Sequence, residues 1–267
     1  MIYVKKSTYA LCLILFATIP FVVKFIWFDF DAVYSDNAYV FFIKCFGGIP
    51  QQMFTSITLF AEIIPPVLLL YFFSNIVYQD VSSVYQFMRY SKKQNWLSKK
   101  FIQLFFFVFL TYLFLYFFVF LIAKANHLAF PPLNDESWNA MIFMFLCNVL
   151  TLFFLSFLQN MLSIRFGSQL SFLFTMALYL VPLIFVALFY HKNPVVDRIL
   201  SILISSNQMY IWHIDAMQNP AMPNDPLSNF SIGFSLLLLI TYLLLAYWTS
   251  RTILLRTGFL EIIKEDE

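Results

Sequence analysis

Residues 101–123 read FIQLFFFVFLTYLFLYFFVFLIA and contain no charged side chain. An α-helix needs about 20 mostly apolar residues to cross a lipid bilayer, so this stretch predicts a membrane-spanning helix. The whole chain is similar, since 61% of its 267 residues are hydrophobic and only 11% are charged. An ordinary soluble domain carries about 25% charged residues. We therefore predict an all-α integral membrane protein that forms one transmembrane domain over residues 1–267.

Six stretches have the length and composition of a membrane-spanning helix. They are Ser7–Trp27, Phe54–Val77, Phe101–Ala123, Asn139–Leu158, Leu170–Tyr190 and Phe230–Trp248. With the N-terminus inside, 11 of the 16 Lys and Arg residues lie on the cytoplasmic side, as the positive-inside rule requires. We expect both termini to be cytoplasmic and the chain to be a multi-pass protein of a bacterial cell membrane.

The segments between these spans differ in length. On the cytoplasmic side, residues 159–169 predict a short loop. On the outer side, Phe28–Met53 and His191–Asn229 are both long. The second has 39 residues, which is too long for a simple connection and predicts a structure of its own. Its part from Val195 to Ile204 has the apolar pattern of a short interfacial helix.

The segment between the second and third spans predicts a short amphipathic helix. Apolar residues occur at the i, i+3, i+4 and i+7 positions of one helix face, namely Val81, Val84, Tyr85 and Met88. Asp80 precedes this face, where a carboxylate favours the helix dipole, and Arg89 follows it, where a cation does so. Two interpretations are open: a helix held at the membrane surface by anionic lipid, or a helix that docks onto a soluble partner.

The layout of the chain resembles that of type-2 ABC exporter permeases. Six helices, cytoplasmic termini, the acidic-then-basic helix after the second span and the long outer segment between the last two spans carry the resemblance. In that family the helix after the second span is the coupling helix, which contacts the ATP-binding subunit. The family usually has a Gly-Thr pair after its acid, whereas this chain has Ser82 and Ser83. Small Phe-rich members are similar to permeases for bacteriocin or peptide export and immunity.

The resemblance implies an exporter of an amphipathic peptide or a lipid-like substrate. Asp80, Arg89 and the apolar face between them would contact a separate ATPase chain. No glycine of the chain begins the GxxxxGK[ST] loop that holds phosphates, so ATP and Mg would bind in that partner, and this chain is not itself expected to be an enzyme. A second permease copy, identical or related, and membrane lipid would complete the set of partners. The sequence has no basic stripe of the kind that predicts binding to nucleic acid.

Glu62 is the one acid deep inside a predicted span, and an ionisable group there is a candidate functional residue. Pro65 and Pro66 follow it by about one turn and remove backbone donors, which predicts a kink. The three residues suit a gate or a transport pathway, and they equally suit static packing. The three histidines of the chain are far apart in sequence and show no metal-binding spacing, so no metal site is expected.

Two other classes of function compete with the exporter. An intramembrane enzyme would need paired carboxylates, a Ser/Cys-His set or metal ligands at membrane depth, and the sequence indicates one buried acid and no buried histidine. A non-transporting immunity or sensor protein would bind a peptide at its outer loops and would not need the cytoplasmic helix.

Overall fold

The computed structural model describes residues 37–48, 56–74, 93–132, 135–189, 193–215, 227 and 229–256. These residues form six α-helices and two short 3-10 turns. The helices are α1 (Ala38–Phe46), α2 (Ser56–Phe73), α3 (Lys93–Ala125), α4 (Glu136–Phe189), α5 (Pro194–Ile202) and α6 (Ile232–Arg256), and the turns are Ser205–Gln208 and Tyr210–Trp212. The prediction of an all-helical fold is confirmed for this part of the chain.

Three of the described helical stretches are long and apolar enough to cross a membrane. They are Gln94–Ala125 in α3, Glu136–Phe185 in α4 and Ile232–Ile253 in α6. In α3, buried Leu104, Val108 and Leu115 face the other helices, while Phe106 and Phe117 on the other side are more than half exposed. A helix that is apolar on both faces is what lipid requires of a spanning segment.

The predicted fourth and fifth spans belong to one helical element, α4, which changes direction at Gly167. This glycine has φ 75° and ψ 163°, outside the helical region, so two helices meet there. The prediction of a loop over residues 159–169 is wrong, because these residues are helical apart from Gly167. Polar side chains such as Gln159 and Asn160 suggested a loop, but they point into the protein and are fully buried.

Replacement of Gly167 by alanine tests this bend. The conformation is one that essentially only glycine adopts, so the variant should lose about 1–3 kcal/mol of stability. No atom lies within 4 Å of the position a Cβ would take, so the loss would come from the backbone and not from a clash. Thermal unfolding in detergent measures it. Gly233→Ala is the matched control, since a Cβ there also meets no other atom but the backbone is helical. This variant should gain up to about 1 kcal/mol of stability. Equal melting of both variants would contradict the bend.

Aromatic rings join α3, α4 and α6 in the core. The ring of Phe101 packs edge-on against Phe153, Phe157 and Tyr247, with centroids 4.8, 5.0 and 5.1 Å away. Edge-to-face contacts of this kind add about 0.5–1.5 kcal/mol each beyond the area they bury. Phe101 therefore anchors the end of α3 to both neighbouring helices.

Backbone hydrogen bonds join three segments that are predicted on the outer side. The N–H of Ala38 donates to the carbonyl of Ala129 (2.9 Å), which joins the start of α1 to the connection after α3. The N–H of Ile211 donates to the carbonyl of Gly47 (3.0 Å), which joins the end of α1 to the segment after α5. A helix in residues 28–53 was not predicted, yet Asn37 begins one by accepting the Tyr39 N–H at 2.9 Å.

Two predicted elements lie outside the described residues. These are the first span, residues 7–27, and the amphipathic helix over residues 80–89. The basic residues that follow this amphipathic helix belong in part to α3, which begins at Lys93 rather than at Phe101. Trp96, in the first turn of α3, is 1% exposed.

Candidate functional site

The segment after α5 is inserted into the helix bundle instead of lying over its end. We call residues 203–215 the inserted segment. Asn193 caps α5 by accepting the N–H of Val195 (2.9 Å), and Pro194 occupies the first helical turn, where its missing donor costs nothing. After α5 ends, all nine residues from Ser205 to His213 are 5% exposed or less. Polar residues in this long segment are therefore part of the protein interior.

Contacts of α6 with the residue before the inserted segment and with α4 show how far this segment reaches. The hydroxyl of Tyr242 donates to the carbonyl of Ile202 (2.8 Å), and Tyr242 lies ten residues, or about 15 Å, from the start of α6. The ring of Tyr242 packs near that of Phe154 in α4 (5.8 Å). The inserted segment thus reaches into the bundle as far as Phe154, which lies near the middle of the part of α4 before Gly167.

Two asparagines on α4 hold the ends of other helices. Asn148 donates from Nδ2 to the carbonyl of Phe46, the last residue of α1 (3.2 Å). Asn160 donates from Nδ2 to the carbonyl of Phe73, the last residue of α2 (2.7 Å). Each also donates to the carbonyl four residues earlier in α4. Carbonyls at a helix end have no partner in their own helix, so these amides satisfy groups that would otherwise be unpaired.

Between these asparagines, α4 carries further buried polar side chains. Together with the polar turn of the inserted segment they form what we call the polar site. Its members are Thr151, Ser156, Gln159, Ser205, Ser206 and Asn207, each of which is 0% exposed. The turn Ser205–Gln208 packs against α4. None of the six side chains is ionisable, so the site offers hydroxyl and amide groups without net charge.

A histidine links the inserted segment to α6. Nδ1 of His213 donates to the carbonyl of Tyr210 (3.1 Å), and Nε2 therefore accepts the hydroxyl proton of Ser235 (2.7 Å). The imidazole stacks on Phe230 with centroids 4.1 Å apart. Burial lowers the pKa of His213 to about 4, although its bond to Tyr210 and the nearby Asp215 carboxylate act in the opposite direction. The imidazole is accordingly neutral near neutral pH.

The pair of Ser235 and His213 has the hydrogen bond that a nucleophilic serine and its base would need. Both residues are 0% exposed, and the pair forms a buried link between the inserted segment and α6. The expectation of no buried histidine is wrong, because a histidine in a loop can be carried into the bundle by the inserted segment. Nearby, Asp215 Oδ2 accepts the N–H of Ile232 (2.6 Å) and so satisfies a free donor at the start of α6.

The residues proposed from sequence do not take part in the polar site as far as they are described. Glu62, Pro65 and Pro66 lie within α2, which stays helical through both prolines. Pro66 is buried. The proposed coupling residues lie outside the described part of the chain; they are Asp80, Val81, Val84, Tyr85, Met88 and Arg89.

The sequence did not reveal the polar site, because the segment Ser-Ser-Asn-Gln is typical of a turn that is exposed to solvent. A signal was present in the length of its segment, which predicts structure beyond a connector. In the described residues, no three His, Cys, Asp or Glu side chains are grouped closely enough to hold a metal ion.

The described residues define an all-helical protein that has three helices able to span a membrane and an uncharged polar site in its interior. Its residues 11–257 match the family described as Protein of unknown function (DUF2705), and the chain belongs to that family. Neither curated proteins nor solved structures gave a match.

Proposed function

We propose that this chain is the membrane-spanning permease subunit of an ATP-binding-cassette exporter, which moves an amphipathic peptide or a lipid-like substrate outward. The observation that carries the proposal is the inserted segment. A long, structured segment between the last two spans is one of the features in which the sequence resembles type-2 exporter permeases. An interior with uncharged polar side chains also suits a substrate with both polar and apolar surface.

The proposed topology has six spans with both termini in the cytoplasm of a bacterial cell. The two halves of α4 on either side of Gly167 supply the fourth and fifth spans. They contain 31 and 22 residues, which correspond to about 46 and 33 Å of helix. Each exceeds the thickness of a bilayer core, which is about 30 Å.

The proposed mechanism needs two partners. A separate ATPase chain binds ATP and Mg and docks on the coupling helix, with Asp80 and Arg89 at its two ends. A second permease copy is needed to enclose the pathway, because a single six-helix permease forms only one side of it. Glu62, Pro65 and Pro66 are proposed to line or gate that pathway, since polar and kink-prone residues in one helix suit a moving element.

Co-purification tests the proposal. The tagged protein is expressed with its neighbouring genes, extracted in mild detergent and examined for bound chains. We expect a stoichiometric soluble chain with a phosphate-binding loop, together with a second permease copy. If the protein comes out alone under several gentle conditions, the exporter proposal is wrong.

Charge substitutions in the predicted coupling helix sharpen this test. Tyr85→Asp and Met88→Asp place a carboxylate on the apolar docking face, and each should weaken ATPase binding by about 2 kcal/mol or more, as for a central interface residue. Ser83→Asp adds the same charge to the opposite face and is the matched control. Pull-down of the ATPase measures the effect. Equal retention by all three variants would show that this face does not bind the partner.

A second candidate is a non-transporting immunity or sensor protein that binds a peptide at its outer end. The hydrogen bonds that join Ala38 to Ala129 and Ile211 to Gly47 favour it, because they join separate segments that the sequence predicts on the outer side. This candidate predicts that Tyr85→Asp and Met88→Asp leave peptide protection unchanged.

A further inference from the structure

Seven buried side-chain atoms of the polar site have no hydrogen-bond partner within the described part of the chain. They are the hydroxyl oxygens of Thr151, Ser156, Ser205 and Ser206, both amide atoms of Gln159 and Oδ1 of Asn207. Other serine and threonine hydroxyls in the described helices bond to their own backbone. Thr111 donates to the carbonyl of Phe107 (2.8 Å) and Thr175 to that of Ser171 (2.9 Å). The unpaired atoms are therefore not a general feature of its helices.

Contacts on both sides of the turn indicate which part of α4 it passes. At one end of the turn, Ile202 is tied to Tyr242, whose ring packs near Phe154. At the other end, Ile211 is tied to Gly47, beside the carbonyl of Phe46 that Asn148 holds. Residues 205–207 thus pass α4 between the levels of Asn148 and Phe154, and Thr151 lies midway between those two.

On α4 the polar side chains continue away from the turn. Thr151 and Gln159 are eight residues apart, which is about 12 Å along the helix. With Ser156 they fall within about 140° of the helix circumference, at 100° per residue. The polar site is therefore an elongated strip and not a single point.

A dry strip of this kind would be costly. Leaving a buried hydroxyl or amide group unpaired costs the full desolvation free energy of that group. The costs of the three unpaired atoms of the turn and the four of α4 would add up to a large fraction of the stability of an ordinary domain. Buried polar groups in native proteins are instead paired with protein, ordered water or a ligand.

We infer that the polar site is hydrated and binds the backbone of an extended, uncharged peptide segment. Hydroxyl groups and the Gln159 amide both donate and accept, as peptide amides do, and Oδ1 of Asn207 accepts. The six polar residues carry no charge that would select an ion. Apolar residues of α4 beside the site, such as Phe154, would contact the side chains of the peptide. The ligand class rests on the proposed function, since it identifies where an exported peptide would bind.

Thiol accessibility tests the hydration of the site. Cys12, Cys45 and Cys147 are replaced by alanine, and the near-isosteric Thr151→Cys, Ser205→Cys and Ser206→Cys are introduced singly. The full-length protein in nanodiscs is treated with trimethylammonioethyl methanethiosulfonate, which is confined to water. Val149→Cys is the matched control, because Val149 is on the same helix and 1% exposed. We expect the three thiols to react about tenfold faster than the control or more, since only hydrated thiols ionise readily. Equal rates would overturn the proposal.

Protection by a defined peptide tests the ligand class. The probe is acetyl-Leu-Ser-Leu-Ser-Leu-amide, and its control is the same peptide with N-methylated amides, which lacks N–H donors. At ten times the concentration that gives half-maximal protection, the probe should slow modification of the Ser205→Cys thiol by about tenfold. The N-methylated peptide should have no effect. No protection, or equal protection by both, would overturn the peptide assignment.

The outcome is separable from that of the exporter proposal. Thiol modification and protection need no ATPase, so they can succeed when no ATPase co-purifies. The thiol experiments can also fail when an ATPase does co-purify. Gel filtration of each cysteine variant confirms that a slow reaction reflects a sealed site and not a misfolded protein.

Discussion

Replacing Gly48 by alanine is expected to destabilise the protein by about 2–6 kcal/mol, because a strained backbone and an overpacked contact each cost about 1–3 kcal/mol. Gly48 has φ +106°, which side chains other than hydrogen rarely allow. A Cβ there would lie 2.5 Å from Sδ, 2.9 Å from Cβ and 3.1 Å from Cα of Met209. Met209 is fully buried in the inserted segment and cannot move away from the new methyl group.

The measurement is thermal unfolding in detergent, combined with hydrogen exchange at the Ile211 amide. That amide donates to the carbonyl of Gly47, so it should exchange faster when the contact is forced apart. In a double-mutant cycle, Met209→Ala should lower the cost of Gly48→Ala only in part, because it removes Sδ and leaves Cβ, Cα and the backbone strain. Wild-type melting of Gly48→Ala would show that α1 and the inserted segment do not pack as described.

The spans of the fold could be predicted from sequence where apolar runs are uninterrupted. Residues 101–123 and 230–248 have such runs, and α3 and α6 cover nearly all of both. Helix ends were less predictable, because a helix can continue past the apolar run that reveals it. The start of α3 at Lys93 shows this, because its first turns have a mostly polar sequence but contain the buried side chain of Trp96.

The interior polar site could not be predicted, because the sequence does not say which polar residues will meet. Ser205 and Thr151 are far apart in the chain, and each has an ordinary solvated or helix-packing interpretation alone. Their burial results from the insertion of one segment into the bundle, which is a tertiary event. By contrast, α1 carried a local signal that could have been used: Asn37 is a favourable cap, and Gly47 and Gly48 follow nine residues that are apolar apart from Lys44.

Lowering the pH from about 7.5 to about 5 is expected to destabilise the protein by about 2 kcal/mol through His213 alone. Burial lowers the pKa of His213 to about 4, below the ordinary value of about 6.5. The unfolded chain therefore takes up the proton first as the pH falls. The contribution of the neutral imidazole, about 3 kcal/mol, is complete above about pH 6.5 and is lost as the pH falls to about 4.

The physical reason is that protonation removes the acceptor. Nε2 of His213 accepts the hydroxyl proton of Ser235, and a protonated Nε2 can only donate. The charge would also be enclosed by Phe230 and the inserted segment, which are buried. The link between the inserted segment and α6 would then open before the rest of the bundle unfolds.

His213→Gln separates this effect from other acid-induced changes. Its amide can still accept from Ser235, but it does not titrate. Thermal unfolding at both pH values should show a drop of about 4–8 °C in the wild type that is absent from the variant, from about 2–4 °C per kcal/mol. An equal drop in both proteins would assign the pH dependence to other groups and would mean that His213 does not titrate as a buried neutral link. Because the variant keeps the hydrogen bond to α6, its stability near neutral pH should stay close to that of the wild type, which makes the comparison at low pH direct.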